Sequence, residues 1–291
     1  EITYGDWSSD VCSSDLKEGC FAIANVYCGL KTVRSPEIKS LRIVAVPAKT
    51  QPTMNNPNMG LTADDPGKCV LGTVPVELDG SAYFRVPAGV MVFFQALDAK
   101  GIAVQTMRGA THVQPGQTLA CAGCHEKRMA APEQKPLLAM KRPPSKITAG
   151  PEGSWPYRFD RLVQPVLHQK CVSCHNPSGR PGADKLDLTA ANAYASLTKY
   201  GKPSLAESIA ASYRQGFSQE GSGAAATSPL LAKLFAPEGH HDVVLDPESR
   251  ERLVTWLDTY GQRLGSFSEE QEQQLAQFRK DSAELLQEHV Q

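Results

Sequence analysis

Two five-residue stretches constrain this chain more than anything else in it: Cys121-Ala-Gly-Cys124-His125 and Cys171-Val-Ser-Cys174-His175. Both read Cys-x-x-Cys-His, the spacing that attaches a c-type haem covalently. Two thiols three positions apart reach the two vinyl groups of one porphyrin, and the histidine that follows supplies an axial nitrogen to the iron. With 8 Cys and 7 His in 291 residues, chance yields about 0.005 such motifs. The expectation is two covalently attached haem c groups. Cys121, Cys124, Cys171 and Cys174 are the thioether donors, and His125 and His175 the proximal ligands. A structural zinc site fits less well, since paired CxxC zinc motifs lie roughly 15–20 residues apart. Here 46 residues separate Cys124 from Cys171. A thioredoxin-like CxxC wants a βαβ setting, which neither stretch has.

Covalent haem attachment implies a periplasmic or otherwise extracytoplasmic protein. No signal peptide is visible, and the first residues account for that. Asp6 to Leu16 read DWSSDVCSSDL, the in-frame translation of a short-read sequencing adapter. Residues 1–16 are therefore set aside as an artefactual, disordered tail, and the natural protein is expected to extend upstream. Cys12 leaves the cysteine count with them. No apolar run approaches the ~20 residues that span a bilayer. A net charge of −1 gives no broad attraction to nucleic acid.

Residues 17–128 read as an antiparallel β-sandwich ending in the first motif. Short runs rich in β-branched and aromatic residues span Phe21–Tyr27, Leu41–Pro47, Cys69–Leu78, Ala82–Val86, Val90–Leu97 and Ile102–Met107, with Gly- and Asp-rich turns between them. The run Val92–Leu97 is apolar on both alternating faces and is expected to be covered on both. Residues 129–156 carry six prolines and read as an extended linker. Residues 157–267 then change period. Phe159, Leu162, Val163, Val166 and Leu167 follow i, i+3, i+4, i+7, i+8, with Pro165 bending or ending that helix. Further helices are expected over 190–199, from Pro229 behind a Ser228 cap, and from Pro247 behind Asp246. An early helix, a haem motif, irregular loops and a late helix is the order of a class I-like cytochrome c domain. The fold class is therefore β plus α. Residues 268–291 read as a charged C-terminal helix with a sparse stripe (Leu275, Phe278, Leu285, Leu286), either docked or partly solvated.

Methionine, which raises the potential of a His-ligated haem, does not occur after Met140. The second haem's sixth ligand is therefore expected to be His240, with His241 in reserve, in the loop Gly239-His-His-Asp242. Trp256 and Tyr213 are candidate pocket walls. For the first haem the candidates are His112, Met107, Met129, Met140 or no ligand, an open iron being the arrangement that permits catalysis. Arg108 and Arg128 either pair with propionates or are solvated. Cys20, Cys28 and Cys69 read as core thiols or a disulfide pair.

The stretches Leu71-Gly-Thr-Val-Pro-Val-Glu77, Asp79-Gly-Ser-Ala-Tyr-Phe84, Phe94-Gln-Ala-Leu-Asp98, Gln114-Pro-Gly116 and Cys121 to His125 resemble the middle domain of the hydrazine synthase alpha subunit family. Arg161-Leu-Val-Gln-Pro-Val-Leu167, Gly239-His-His-Asp-Val243 and Leu253-Val-Thr-Trp-Leu-Asp258 resemble the cytochrome c domain that follows it there. The resemblance implies a bis-histidine second haem, supporting His175 with His240. It also implies a further N-terminal region, a β-propeller in many relatives. In hydrazine synthase the first haem is catalytic, and its iron is held by a tyrosine four residues after the motif histidine. Met129 stands at that place here, so neither that ligand nor the family's zinc site is carried over. The leading reading is an exported dihaem c-type cytochrome module that transfers electrons to and from redox partner proteins. The alternatives are a haem oxidoreductase acting at the first haem, and a partner- or carbohydrate-binding β-domain with an accessory cytochrome.

Overall fold

The computed structural model describes residues 17–52, 57–62, 66–124, 135–237 and 239–287. The adapter-like tail, His125, Arg128 and Met129 lie outside them.

Seven strands form before the first motif ends: β1 (Glu18–Ile23), β2 (Ser40–Ala45), β3 (Cys69–Pro75), β4 (Ala82–Pro87), β5 (Val92–Leu97), β6 (Ala103–Thr106) and β7 (Thr118–Cys121). Two more, β8 (Ile147–Ala149) and β9 (Leu286–Gln287), come later in the chain. They make a three-stranded sheet in the order β4-β1-β7 and a six-stranded sheet in the order β6-β5-β2-β3-β8-β9. The expectation of purely antiparallel pairing is corrected: β1 pairs with β7, and β8 with β9, in parallel. Both parallel partners are joined by long stretches of intervening chain, as parallel pairing requires. Short strands paired at that range leave no local signature.

The apolar alternation along β5 explains the layering. Phe94 meets Phe21 and Phe84 edge-on, with ring centroids 5.1 and 5.5 Å apart, a favoured aromatic geometry. These rings fill the space between the two sheets. Phe93, one position earlier, points through the opposite face with Val44 and Val70. That face is roofed by helices, so the six-stranded sheet is the middle of three layers, buried on both sides.

The roof comprises α1 (Phe159–Leu162), α2 (Gln164–Lys170), α3 (Ala193–Thr198), α4 (Leu205–Arg214), α5 (Pro229–Leu234) and α6 (Pro247–Asp258). Pro165 divides the first helical stretch as expected, sitting in the first turn of α2, where its missing N–H costs nothing. Phe159 and Trp256 bring α1 against α6, with ring centroids 5.3 Å apart. Trp256 is fully buried there and donates to the Gln262 carbonyl, so it is core. α4 escaped the apolar pattern, yet it carries a capping box: Ser204 Oγ accepts from the Glu207 N–H while the Glu207 carboxylate takes the Ser204 N–H.

Sheet and roof are bolted together at Asp258, the last residue of α6. Its carboxylate meets the Arg42 guanidinium of β2 at 3.2 Å, with side chains 0% and 2% exposed. It also accepts from the backbone N–H groups of Ala103 and Ala225. Gln95 receives a second Arg42 N–H and itself donates to the Asp258 carbonyl oxygen. Burial pushes Asp258 up, and Arg42 and the amides pull against it.

The proline-rich segment is more than a spacer. Its described part holds β8, which pairs with β3 in the middle sheet. The C-terminal stretch docks on the same edge through α7 (Glu269–Asp281) and β9. Phe278 packs on Trp155 at 5.2 Å, and Arg279 donates to the Trp155 carbonyl. Among the described residues, no helix is long and apolar enough to cross a membrane.

Candidate haem sites

The second motif continues α2. Cys171 N–H bonds to the Leu167 carbonyl, and His175 N–H to the Cys171 carbonyl, both at 2.9 Å. Residues i, i+3 and i+4 of a helical turn share a face, so Cys171, Cys174 and His175 are presented together. Both cysteines are free thiols. Burial, followed by the neighbouring Cys174, pushes Cys171 up to about 11, so its proton stays on until a bond to carbon or a metal replaces it.

His175 places Nδ1 3.1 Å from the Ala183 carbonyl oxygen. An oxygen acceptor there fixes the Nδ1–H tautomer and leaves the Nε2 lone pair for a metal. The ring facing it belongs to His240, with centroids 6.0 Å apart and planes within 20°. His241 instead turns its ring across His240 at 66°. Two imidazoles that bind one ion from opposite sides need metal–nitrogen bonds of about 2 Å each. With about 1 Å more from each nitrogen to its ring centre, that is a gap of about 6 Å. The two free thiols, the committed tautomer and this gap fit a covalently held haem.

A tight turn holds His240 in place. Val243 N–H bonds back to the His240 carbonyl at 3.0 Å, and Gly239, His241 and Asp242 have φ of 65°, 49° and 64°. Left-handed backbone disfavours most side chains but admits His and Asp more readily, at about 1–2 kcal/mol per non-glycine residue. Burial first, then the charges of Lys233, His241 and His175, hold His240 below the usual histidine range, which favours the neutral form that can ligate. Lys170, the last residue of α2, pairs with Asp246 at 3.4 Å. That contact ties the motif's helix to the chain leaving the turn. His168 is exposed on α2.

The first motif is built on strand rather than helix. Cys121 ends β7, and its carbonyl accepts from Ala24 N–H at 2.8 Å; the Ala122 carbonyl accepts from Asn25 N–H at 3.1 Å. The segment 121–124 thus lies along 24–28. Only glycine fits at 123: a Cβ there would collide with the Asn25 carbonyl oxygen and come 2.5 Å from Cys28 Cβ. Burial, then Cys121 and Cys28, push the Cys124 thiol up to about 12.

His125, the proximal ligand expected for this site, lies outside the described residues, as does Met129. Of the other candidates, Met107 is half-buried between the two cores. His112 is exposed beside Gln114, and Met140 is 53% exposed. Arg108 is committed elsewhere: it donates to Tyr260 Oη at 2.9 Å and to the Tyr213 carbonyl at 2.7 Å, stacked on the Tyr213 ring. It pins the sheet to the helical roof, and Tyr213 belongs to that clamp. No local pattern marks this contact, since it joins residues more than a hundred positions apart. Cys69 is core, pushed up to about 12 by burial. Cys28 is exposed and adjoins the first motif, a proximity that spacing along the chain does not reveal.

Residues 36–126 match the hydrazine synthase alpha subunit middle domain family. Among solved structures, the chain is similar to Kuenenia stuttgartiensis hydrazine synthase. The identity is 18% and the TM-score 0.57, over 88% of this chain and 44% of that one. The chain thus spans less than half the length of the protein it matches, and at this identity the likeness is one of fold. No curated protein matches it.

Proposed function

Starting from residues 36–126 as a hydrazine synthase alpha middle domain, we propose that the chain is an exported dihaem c-type cytochrome module that transfers electrons. In this reading the helical roof is a class I-like cytochrome c domain, and partner redox proteins exchange electrons with it outside the cytoplasm. The observation that carries the reading is the His175–His240 pair, 6.0 Å apart and nearly parallel, beside two free thiols on one helical turn. Haem, when bound, supplies one-electron redox chemistry.

The chain's own groups do the rest. Cys171 and Cys174 anchor the porphyrin edge. His175 and His240 would each offer a ring nitrogen to the iron, and the Ala183 carbonyl keeps His175 in the tautomer that can ligate. The 239–243 turn holds His240 at its station, which would limit reorganisation in a relay.

A second reading is favoured by the family match, which covers the first motif: a haem oxidoreductase with its reaction at Cys121–Cys124, fed by the second site. Co-expression with a c-haem maturation system tests both. Two covalent haems per chain are expected, with a low-spin signal from the second haem that His240→Ala removes and His241→Ala keeps. A chain without covalent haem refutes both readings. A first haem that turns high-spin or binds carbon monoxide selects the second, and six-coordinate haem at both motifs selects the first.

A further inference from the structure

Three cysteines meet at the first motif. Cys28 belongs to the turn 26–29, which packs against Gly123, the residue between Ala122 and Cys124. Gly123 approaches so closely that a side chain there would overlap Cys28. Cys28 and Cys121 both lie near enough to Cys124 for their charges to act on it. Cys28 is exposed, Cys121 and Cys124 are half-buried, and no disulfide joins the three.

The turn is held from outside as well. Three residues beyond Cys28, the N–H groups of Lys31, Thr32 and Val33 converge on the Glu220 carboxylate at 2.6, 2.6 and 3.0 Å, and the Thr32 hydroxyl adds a fourth bond at 2.6 Å. Successive N–H groups aimed at one anion form a nest. Glu220 comes from the loop after α4, nearly two hundred residues away, and the nest anchors the Cys28 segment against the motif.

We infer that Cys28 is a third partner of the first motif, exchanging disulfides with Cys121 and Cys124 whenever haem is not attached. In an oxidising compartment the two motif thiols pass two electrons and two protons to a protein disulfide oxidant and become a Cys121–Cys124 disulfide. The Cys28 thiolate then attacks the Cys124 sulfur. The Cys28–Cys124 bond forms, the Cys121–Cys124 bond breaks, and Cys121 leaves as a thiolate that takes up the proton Cys28 released. The exchange is redox-neutral and needs no further oxidant. Its direction follows from position: Cys28 lies against Gly123, the neighbour of Cys124, so Cys124 is the sulfur it reaches and Cys121 is the one released. Cys28 then holds the motif with one thiol free, a form that has to be reduced before a porphyrin can be attached at both positions. That consequence rests on the haem reading above; the disulfide does not.

The test is peptide mapping of the full chain, made in an oxidising compartment without haem maturation and alkylated before denaturation. Trypsin releases Cys28 in residues 18–31 and the motif in residues 109–127. A disulfide-linked pair of these peptides is expected, lost in Cys28→Ser and kept in Cys20→Ser. A motif closed only on itself, with Cys28 alkylated, overturns the inference, as does a linked pair that survives Cys28→Ser. When haem maturation is supplied but reductant is limiting, Cys28→Ser is expected to raise occupancy of the first motif and leave the second unchanged. Equal occupancy overturns the exchange as a brake on attachment. First motifs that stay empty in both proteins count against the haem reading instead, and the peptide pair still decides the exchange.

Discussion

Asp258→Asn removes one charge and almost no volume from the place where helices meet sheet. In the native protein Arg42 is 2% exposed, and Asp258 is its counterion at 3.2 Å. The variant leaves the guanidinium bonded to Gln95 and to the Gly101 carbonyl, but with no negative charge in reach. Removing one partner of a buried ion pair costs about 3–5 kcal/mol. Ala103 and Ala225 use different carboxylate oxygens, and asparagine has only one, so one of these N–H groups meets the NH2 instead and adds to the loss. For a chain of this size each kcal/mol lowers the melting temperature by about 2 °C, which gives a fall of about 6–10 °C. Calorimetry or urea unfolding measures it. The companion variant Arg42→Met removes the stranded cation. Combined with Asp258→Asn, it should cost clearly less than the two single losses added together, because the groups interact directly. A stability loss under about 1 kcal/mol for Asp258→Asn, or strict additivity in the pair, would refute the idea that this contact bolts the layers together.

Gly123→Ala forces a methyl group between the Asn25 carbonyl and Cys28. Overpacking of this kind costs about 1–3 kcal/mol; first-motif haem occupancy should fall with the second untouched, and mass spectrometry of haem peptides checks it. The Glu220 clamp should respond to acid. Burial alone would raise this carboxyl, but the four bonds from Lys31, Thr32 and Val33 hold it at about 2, against an ordinary 4.5. Between those values the unfolded chain binds the extra proton, so the clamp's contribution is complete above about pH 4.5 and is lost as pH falls toward 2. Amide NMR of Thr32 should follow that titration in the native protein and be flat in Glu220→Gln; identical profiles would refute it.

Much of this architecture was legible because local chemistry dictates it. β5 was readable as doubly covered because Phe93 and Phe94 are adjacent and both apolar, and the structure gives them separate layers to fill. Helix starts at Ser228 and Asp246 followed from hydroxyl or carboxylate before proline. α4 was missed although Ser204 and Glu207 spell a capping box. What stayed hidden is long-range: the parallel partners of β1 and β8, the reach of Arg108 to Tyr260, and Glu220 in its nest. The same divide runs through the candidate sites. CxxCH spacing is a local property, whether a helical turn or a strand end carries it. That the His240 ring rather than the His241 ring lies parallel to His175 instead goes with left-handed backbone at His241 and Asp242, which composition only permits. Cys28 joined the first motif through a strand pairing that no window of sequence contains.

The β8–β9 pair sets an order of assembly. Thr148 waits for a partner 139 residues further along, at Gln287, while both haem motifs precede that partner. A chain emerging from its N-terminus therefore presents every attachment cysteine while one edge of its middle sheet is still bare and Trp155 lacks its Phe278 cover. The last strand closes that edge, and a chain cut short before residue 269 would keep it bare and sticky.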